Sequence, residues 1–248
     1  MSTTLPIWVQ HFFDGFYAQC DLRWPVEHQQ YVANGLMRHL NLQAGAHVFD
    51  QCCGEGYLAH ALSKKGCHVW GVDQSETYIQ TARTLTPNGT FVAADAGIYT
   101  PDNTMDAAVN WHTSLGYGGK EGALLLLQRL IQSLKHGGLF IVDVRNVSLY
   151  KQQALVSHET IATKQWGDVL MTRSGEWKEN VLWQNWSAST VDGVVWSQED
   201  AACFHPSLKD MDDLFEHIGA KRVHVLGTFD EAFDDQRHER MIVVGQKL

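Results

Sequence analysis

Cysteine is scarce and poorly placed for structural bonding. Cys20, Cys52, Cys53, Cys67 and Cys203 are the five present in 248 residues. They form no CxxC pair and no zinc-ligand spacing, and an odd count fits reduced, mostly buried thiols rather than a disulfide framework. His11, His28 and His205 match no local ligand spacing either, so no metal is expected. Basic residues are few, 19 Lys and Arg against 28 Asp and Glu, a formal charge of −9. That excludes an extended surface for nucleic-acid phosphates or anionic lipid, which requires clustered cations. No run approaches the roughly 18 apolar residues of a membrane span. The first residues lack the basic flank, apolar run and cleavage site of a signal peptide. The expectation is a cytoplasmic protein, monomer or homodimer, with a small-molecule partner.

What is present is enough apolar residue, 44% of the chain, for one large core with an appendage, read as a single domain over 1–248. From 46 to 146, short β-branched runs alternate with helical stretches, the mark of successive βαβ units and a parallel sheet. HVFDQ, CHVWGVDQS, TFVAADA, MDAAVNWHT and LFIVDVRN read as strands. The Gly pair closing KEGALLLLQRLIQSLKHGG reads as a helix C-terminus, with Lys135 and His136 at the negative end of the dipole. Over 1–45, two helices precede this core, the second with Pro25 near its first turn. From 160 to 205 the pattern changes to period two, in DVLMTRSGEW, ENVLWQNWSAST and VVWSQEDAACFH, predicting an antiparallel excursion. Over 206–248 a last helix and two strands close the sheet. The fold class is thus α/β, Rossmann-like and doubly wound, a mostly parallel seven-stranded sheet with an N-terminal helical lid and an antiparallel β cap.

Val48 to Tyr57, VFDQCCGEGY, carries the most chemistry. A strand ends in Asp50 and passes through Gly54 and Gly56 into a helix, where glycines let backbone approach a ligand at the carboxyl edge of the sheet. Asp73 ends the second strand about 20 residues later, where an acid takes both hydroxyls of a ribose. A dinucleotide site would prefer GxGxxG, but the third position after Gly54 is Tyr57, which argues against a nicotinamide oxidoreductase.

These residues resemble the class I S-adenosylmethionine (SAM)-dependent methyltransferases, whose first motif runs acid, x, Gly, x, Gly, x, Gly. Asp50, Cys52, Gly54 and Gly56 fall on it, with Cys52 replacing the first glycine. The resemblance extends to Asp73 as the ribose acid with Gln74 beside it, and to AADA, where it implies that Asp95 meets the adenine amino group and Ala96 offers its backbone N–H. It continues through NWHTSLGYG and KHGGLFIVDV to the last strand, and so covers nearly the whole chain. TSLGY, FFDGFYAQ and the excursion are similar to small-metabolite members, including amino-sugar N-methyltransferases. That likeness implies that Tyr17 folds over the cofactor and the excursion caps the acceptor.

His112 lies past the fourth strand, where an imidazole can accept a proton or orient the acceptor, or be only a satisfied strand-end residue. Tyr17 can assist it, and Asn110 and Trp111 are placed beside the methionine part of SAM. Cys52 and Cys53 lack a nearby cation to activate a thiol, so cofactor contact is read for the first and packing for the second. Asp143 reads as structural. Arg145, Asn146, Trp183 and His205 are the substrate-side candidates, Trp183 being one of five tryptophans in the excursion that form either core or an aromatic wall. The reading is methyl transfer to a small molecule, nitrogen rather than oxygen because no His/Asp pair is evident. The alternatives are a non-catalytic SAM-binding subunit, and a methyltransferase for RNA or protein, disfavoured for RNA by charge.

Overall fold

A computed structural model describes residues 6–20 and 24–248. Ile7–Gln10 forms α1, which runs on through a π-helical turn at His11–Phe16 and a 3-10 turn at Tyr17–Gln19 before the chain straightens at Cys20. Residues 21–23, included in the predicted first helix, lie outside the described residues. Val26–His39 forms α2, followed by β1 (His47–Gln51), α3 (Tyr57–Ser63), β2 (His68–Asp73), α4 (Glu76–Leu85), β3 (Thr90–Ala93) and β4 (Met105–Asn110). Then come α5 (Gly119–Gln132), β5 (Leu134–Arg145) and α6 (Val147–Tyr150). An antiparallel set follows, β6 (Val156–Thr163), β7 (Gly167–Lys178), β8 (Val181–Thr190) and β9 (Gly193–Phe204). The chain closes with α7 (Leu208–His217), β10 (Ala220–Thr228), β11 (Glu231–Ala232) and β12 (Arg240–Lys247).

The main sheet has the order β11-β10-β12-β5-β4-β1-β2-β3, with β1 to β5 parallel and β12 and β10 antiparallel. It is the expected doubly wound sheet, with one two-residue edge strand beyond the seven read from sequence. Side chains alternate between its faces. Phe49, Ala108, Phe140, Val142 and Val243 pack with α5 and α7 on one face. Val48, Val109, Ile141, Ile242 and Val244 pack with α2, α3 and α4 on the other. The second sheet runs β6-β7-β8-β9. It begins at Val156, ahead of the position 160 that period-two patterning marked, because β6 is mostly exposed and shows little apolar alternation.

One helix end is corrected. α5 stops at Gln132, not at the Gly pair, because the Ser133 carbonyl is taken by the Met105 N–H at 2.7 Å and Leu134 buries as the first residue of β5. Lys135 to Gly138 then bulge out between the Met105–Leu134 and Ala107–Leu139 pairs, with Gly137 at φ 74° making the turn back. Lys135 pairs with Asp106 instead of meeting a helix terminus.

The N-terminal helical run is fastened at both ends of its path. Phe12 and Phe16 pack on Trp186 and Trp196 of the second sheet, at ring separations of 4.7 and 5.0 Å. Cys20 bridges to Thr163. On the other side, the Tyr78 hydroxyl of α4 donates to the Phe13 carbonyl at 3.0 Å. Lid, cap and main sheet therefore enclose one space.

Candidate active site

That space is a cavity of about 480 Å³ at the carboxyl edge of β1, β2, β4 and β5, roofed by residues of the second sheet. Its floor is the β1–α3 loop. Gly54 sits at φ 54° and Gly56, the N-cap of α3, at φ 77°. A Cβ on Gly54 would meet nothing within 4 Å, whereas one on Gly56 would lie 2.6 Å from Ala82 Cβ. The first glycine leaves room above the loop; the second lets α3 sit against α4. Asp73 ties the loop down, accepting the Gly54 N–H at 2.9 Å and the Ser75 N–H at 3.0 Å. Each carboxylate oxygen keeps further lone-pair capacity for a ligand hydroxyl.

Asp50 lies beneath the loop, 2% exposed, with Oδ2 unpartnered. Burial, and then the charge of Asp73, raise its pKa to about 7. An orphaned, buried carboxylate oxygen at a cavity wall has room for a cationic or hydrogen-bonding ligand group. Cys52 and Cys53 are pushed well above the ordinary thiol range, first by burial and then by nearby carboxylates, so both stay protonated.

Cys52, His112 and Thr113 occupy the left-handed region, at φ 60°, 61° and 67°, and all three line the cavity. Non-glycine residues there are costly and persist where surrounding contacts fix them. The His112 N–H donates to the buried Asp143 carboxylate at 2.9 Å, and Arg240 joins Asp143 to the Thr113 hydroxyl. The His112 ring stacks on Trp24 at 5.2 Å and stands 6.5 Å from His28. The ring lines the cavity and is also open to solvent at its mouth. Burial, then the charges of Arg240 and His28, hold it below the usual histidine range and keep it neutral.

Residues 48–138 match the family model described as a methyltransferase domain. Trans-aconitate 2-methyltransferase of Paracidovorax citrulli is 30% identical over 121 residues, 45% of this chain and 44% of that one. The chain thus spans less than half of this curated relative. A SAM-dependent methyltransferase from Clostridium acetobutylicum shares the fold with a TM-score of 0.71 at 14% identity, covering 97% of each chain. The sugar N-methyltransferase KedS8 of Streptoalloteichus gives 0.67 at 16% identity, over 94% of this chain and 92% of that one. Residues 48–138 thus resemble a methyltransferase domain, and the chain shares the fold of SAM-dependent methyltransferases.

Of the residues read from sequence, Tyr17, Asp50, Cys52, Gly54, Asp73, Gln74, Ala96, Trp111, His112, Arg145 and His205 line the methyltransferase cavity. Gly56, Asp95 and Asn110 stand behind its wall. Asp95 caps the turn after β3, accepting the Gly97 N–H at 2.7 Å, and Asn110 donates to Gln51 within the sheet at 3.1 Å. Two substrate-side candidates are corrected. Asn146 is spent on structure: it caps α6 and donates to the carbonyls of Asp235 and His238 at 2.8 and 2.9 Å. Trp183 does not line the cavity; Gln184 and Trp186 of β8 do. The strand period puts Trp183 on the opposite face from these two.

Sequence reading missed Phe13, Tyr78, Tyr117, Tyr150, Arg173, Gln184 and Arg240, all of which line the cavity. Arg173 and Gln184 carried a usable signal, the period of their strands. Arg240 carried none, since its place depends on β12 lying beside β5. Among the described residues, no group of His, Cys, Asp and Glu is arranged to hold a metal, and no helix is long and apolar enough to cross a membrane.

Proposed function

We propose that this chain transfers a methyl group from SAM to a nitrogen of a small molecule. One observation carries the reading: a single cavity joins the Asp50, Gly54 and Asp73 end of the methyltransferase core to an aromatic chamber under the cap. When bound, SAM supplies an electrophilic methyl on a sulfonium, which an in-line nucleophile takes as the carbon–sulfur bond breaks. Asp73 would accept the ribose hydroxyls, the space over Gly54 would let the cofactor approach the backbone, and the unpartnered Asp50 oxygen would compensate cofactor positive charge. Tyr17 and the lid aromatics close over the top and exclude water. Neutral His112, its backbone held by Asp143, offers a ring nitrogen that accepts a hydrogen bond from the amine nucleophile and orients it, while the proton of the methylated amine leaves to solvent. The fit rests on the orphaned Asp50 oxygen and the room over Gly54.

Calorimetric titration with SAM, followed by transfer of labelled methyl to a panel of small acceptors, tests this. Expected are saturable binding and a product whose label resists mild alkali, as an N-methyl group does. A relative named for trans-aconitate supports a second reading, a carboxylate oxygen as acceptor, and an alkali-labile methyl ester would favour it. His112→Asn is expected to keep SAM affinity and lower turnover about tenfold, the worth of one positioning hydrogen bond. SAM binding with no transfer to any acceptor would favour a non-catalytic SAM-binding subunit.

A further inference from the structure

The acceptor end of the cavity is electrostatically opposite to the cofactor end. Asp50, Glu55 and Asp73 are the carboxylates on the wall, and they belong to β1, the glycine loop and β2. Arg145 ends β5, two strands from β1 and three from β2 in the sheet order. Arg173 and Lys164 add positive charge from the cap side of the same cavity. Arg240, across from Arg145 on β12, is taken by Asp143. Arg173 faces Glu159 at 3.5 Å. Arg145 has no ion pair among the described residues; its guanidinium carbon stands over the Tyr150 ring, 4.8 Å from the centroid. A cation–π contact uses none of the guanidinium's N–H donors as ion-pair partners and leaves them for an anion.

His205 stands beside it. The ring is 4% exposed, lines the cavity, and has both nitrogens without a hydrogen-bond partner. Tyr150 and Trp177 hold it edge-on at 5.0 and 5.5 Å. A buried imidazole with no partner is costly unless something the cavity admits completes it. Near an unpaired guanidinium, a neutral imidazole offers one N–H to the same anion. We propose that Arg145 and His205 together anchor a carboxylate of the methyl acceptor, which makes the acceptor a small organic acid. This rests on the methyl-transfer reading but leaves open which atom receives the methyl. A neutral amide would leave the Arg145 charge uncompensated, and an amine lacking an acid group would meet Arg145 as a like charge.

The test is calorimetry on the full chain with benzoate, benzamide and benzylamine, with and without S-adenosylhomocysteine. Benzoate is expected to bind saturably, at least about tenfold tighter than the other two. Arg145→Met and His205→Phe are each expected to weaken benzoate about tenfold or more while SAM affinity stays within about twofold. Arg145→Lys keeps the charge, loses the fork, and serves if the methionine variant does not fold; an intermediate loss is expected. Equal binding of the three probes, no binding of any, or a loss of SAM affinity in Arg145→Met overturns the assignment, the last by giving Arg145 to the cofactor. Benzoate binding that persists in a protein unable to bind SAM would sustain the anchor and remove the methyl-transfer reading.

Discussion

Arg240 of β12 grips the buried carboxylate of Asp143 on β5 with two nitrogens, Nε donating to Oδ1 at 2.7 Å and Nη2 to Oδ2. Through that grip β12 holds the cavity edge, because Asp143 accepts the His112 N–H and Arg240 donates to the Thr113 hydroxyl. His112 and Thr113 both have positive φ. The pair is the device that keeps a strained turn in place.

Removing one partner strands the other. Arg240→Met is expected to cost about 3–5 kcal/mol of stability, the usual penalty for an uncompensated buried charge. Asp143→Leu combined with Arg240→Met should cost less than Arg240→Met alone. Urea unfolding at neutral pH measures both, and a single-variant loss below about 1 kcal/mol, the range of exposed pairs, would assign the pair no structural role.

Asp73→Ala is expected to weaken SAM binding at least about tenfold, the worth of one hydrogen bond to a charged group. The variant also frees the Gly54 N–H, so the loss should appear in calorimetry as weaker affinity with the fold intact by circular dichroism. Unchanged affinity would mean that the ribose is held elsewhere.

The sequence made some of this legible and not the rest, for physical reasons. The parallel core could be read because short β-branched runs and glycine turns are local signals, and Gly54, Gly56 and Asp73 lie within 20 residues of one another. Lys135 to Gly138 misled because a Gly pair after a basic turn ends a helix as readily as it shapes a bulge. Asn146 and Trp183 misled through register, since one residue decides which face a strand or cap presents. Arg240 and Asp143 were invisible as a pair, being 97 residues apart and joined only by the antiparallel docking of β12 on β5.

Asp50 is expected to make SAM binding depend on pH. Its pKa near 7 in the free protein means that acid conditions leave it protonated. A cationic ligand prefers the ionised form, so SAM affinity is expected to rise with pH up to about 7 and level off above it, with a limiting slope of about tenfold per pH unit. Folding responds oppositely. A carboxyl whose folded pKa is raised holds its proton better in the native state, so its contribution is fully present below the ordinary carboxylate pKa and is lost as pH rises through 7. Asp50→Asn should flatten the pH dependence of binding and stabilise the free protein above pH 7. Identical pH profiles for the variant and the parent protein would remove Asp50 from the cofactor site.

The two loop glycines separate binding from folding. At Gly54 a Cβ meets nothing within 4 Å, so Gly54→Ala carries only the left-handed backbone penalty, about 1–2 kcal/mol. The methyl then occupies room that a ligand would need, and SAM affinity is expected to fall by more than the stability does. At Gly56 the same change adds a clash with Ala82 at 2.6 Å to the same backbone penalty, forcing α3 away from α4. Gly56→Ala should therefore lower the unfolding midpoint well below that of Gly54→Ala. Thermal unfolding and SAM titration of the two variants side by side decide it. A reversed order, with Gly54→Ala the less stable protein and Gly56→Ala the poorer binder, would place the ligand against the helix start instead of over the first glycine.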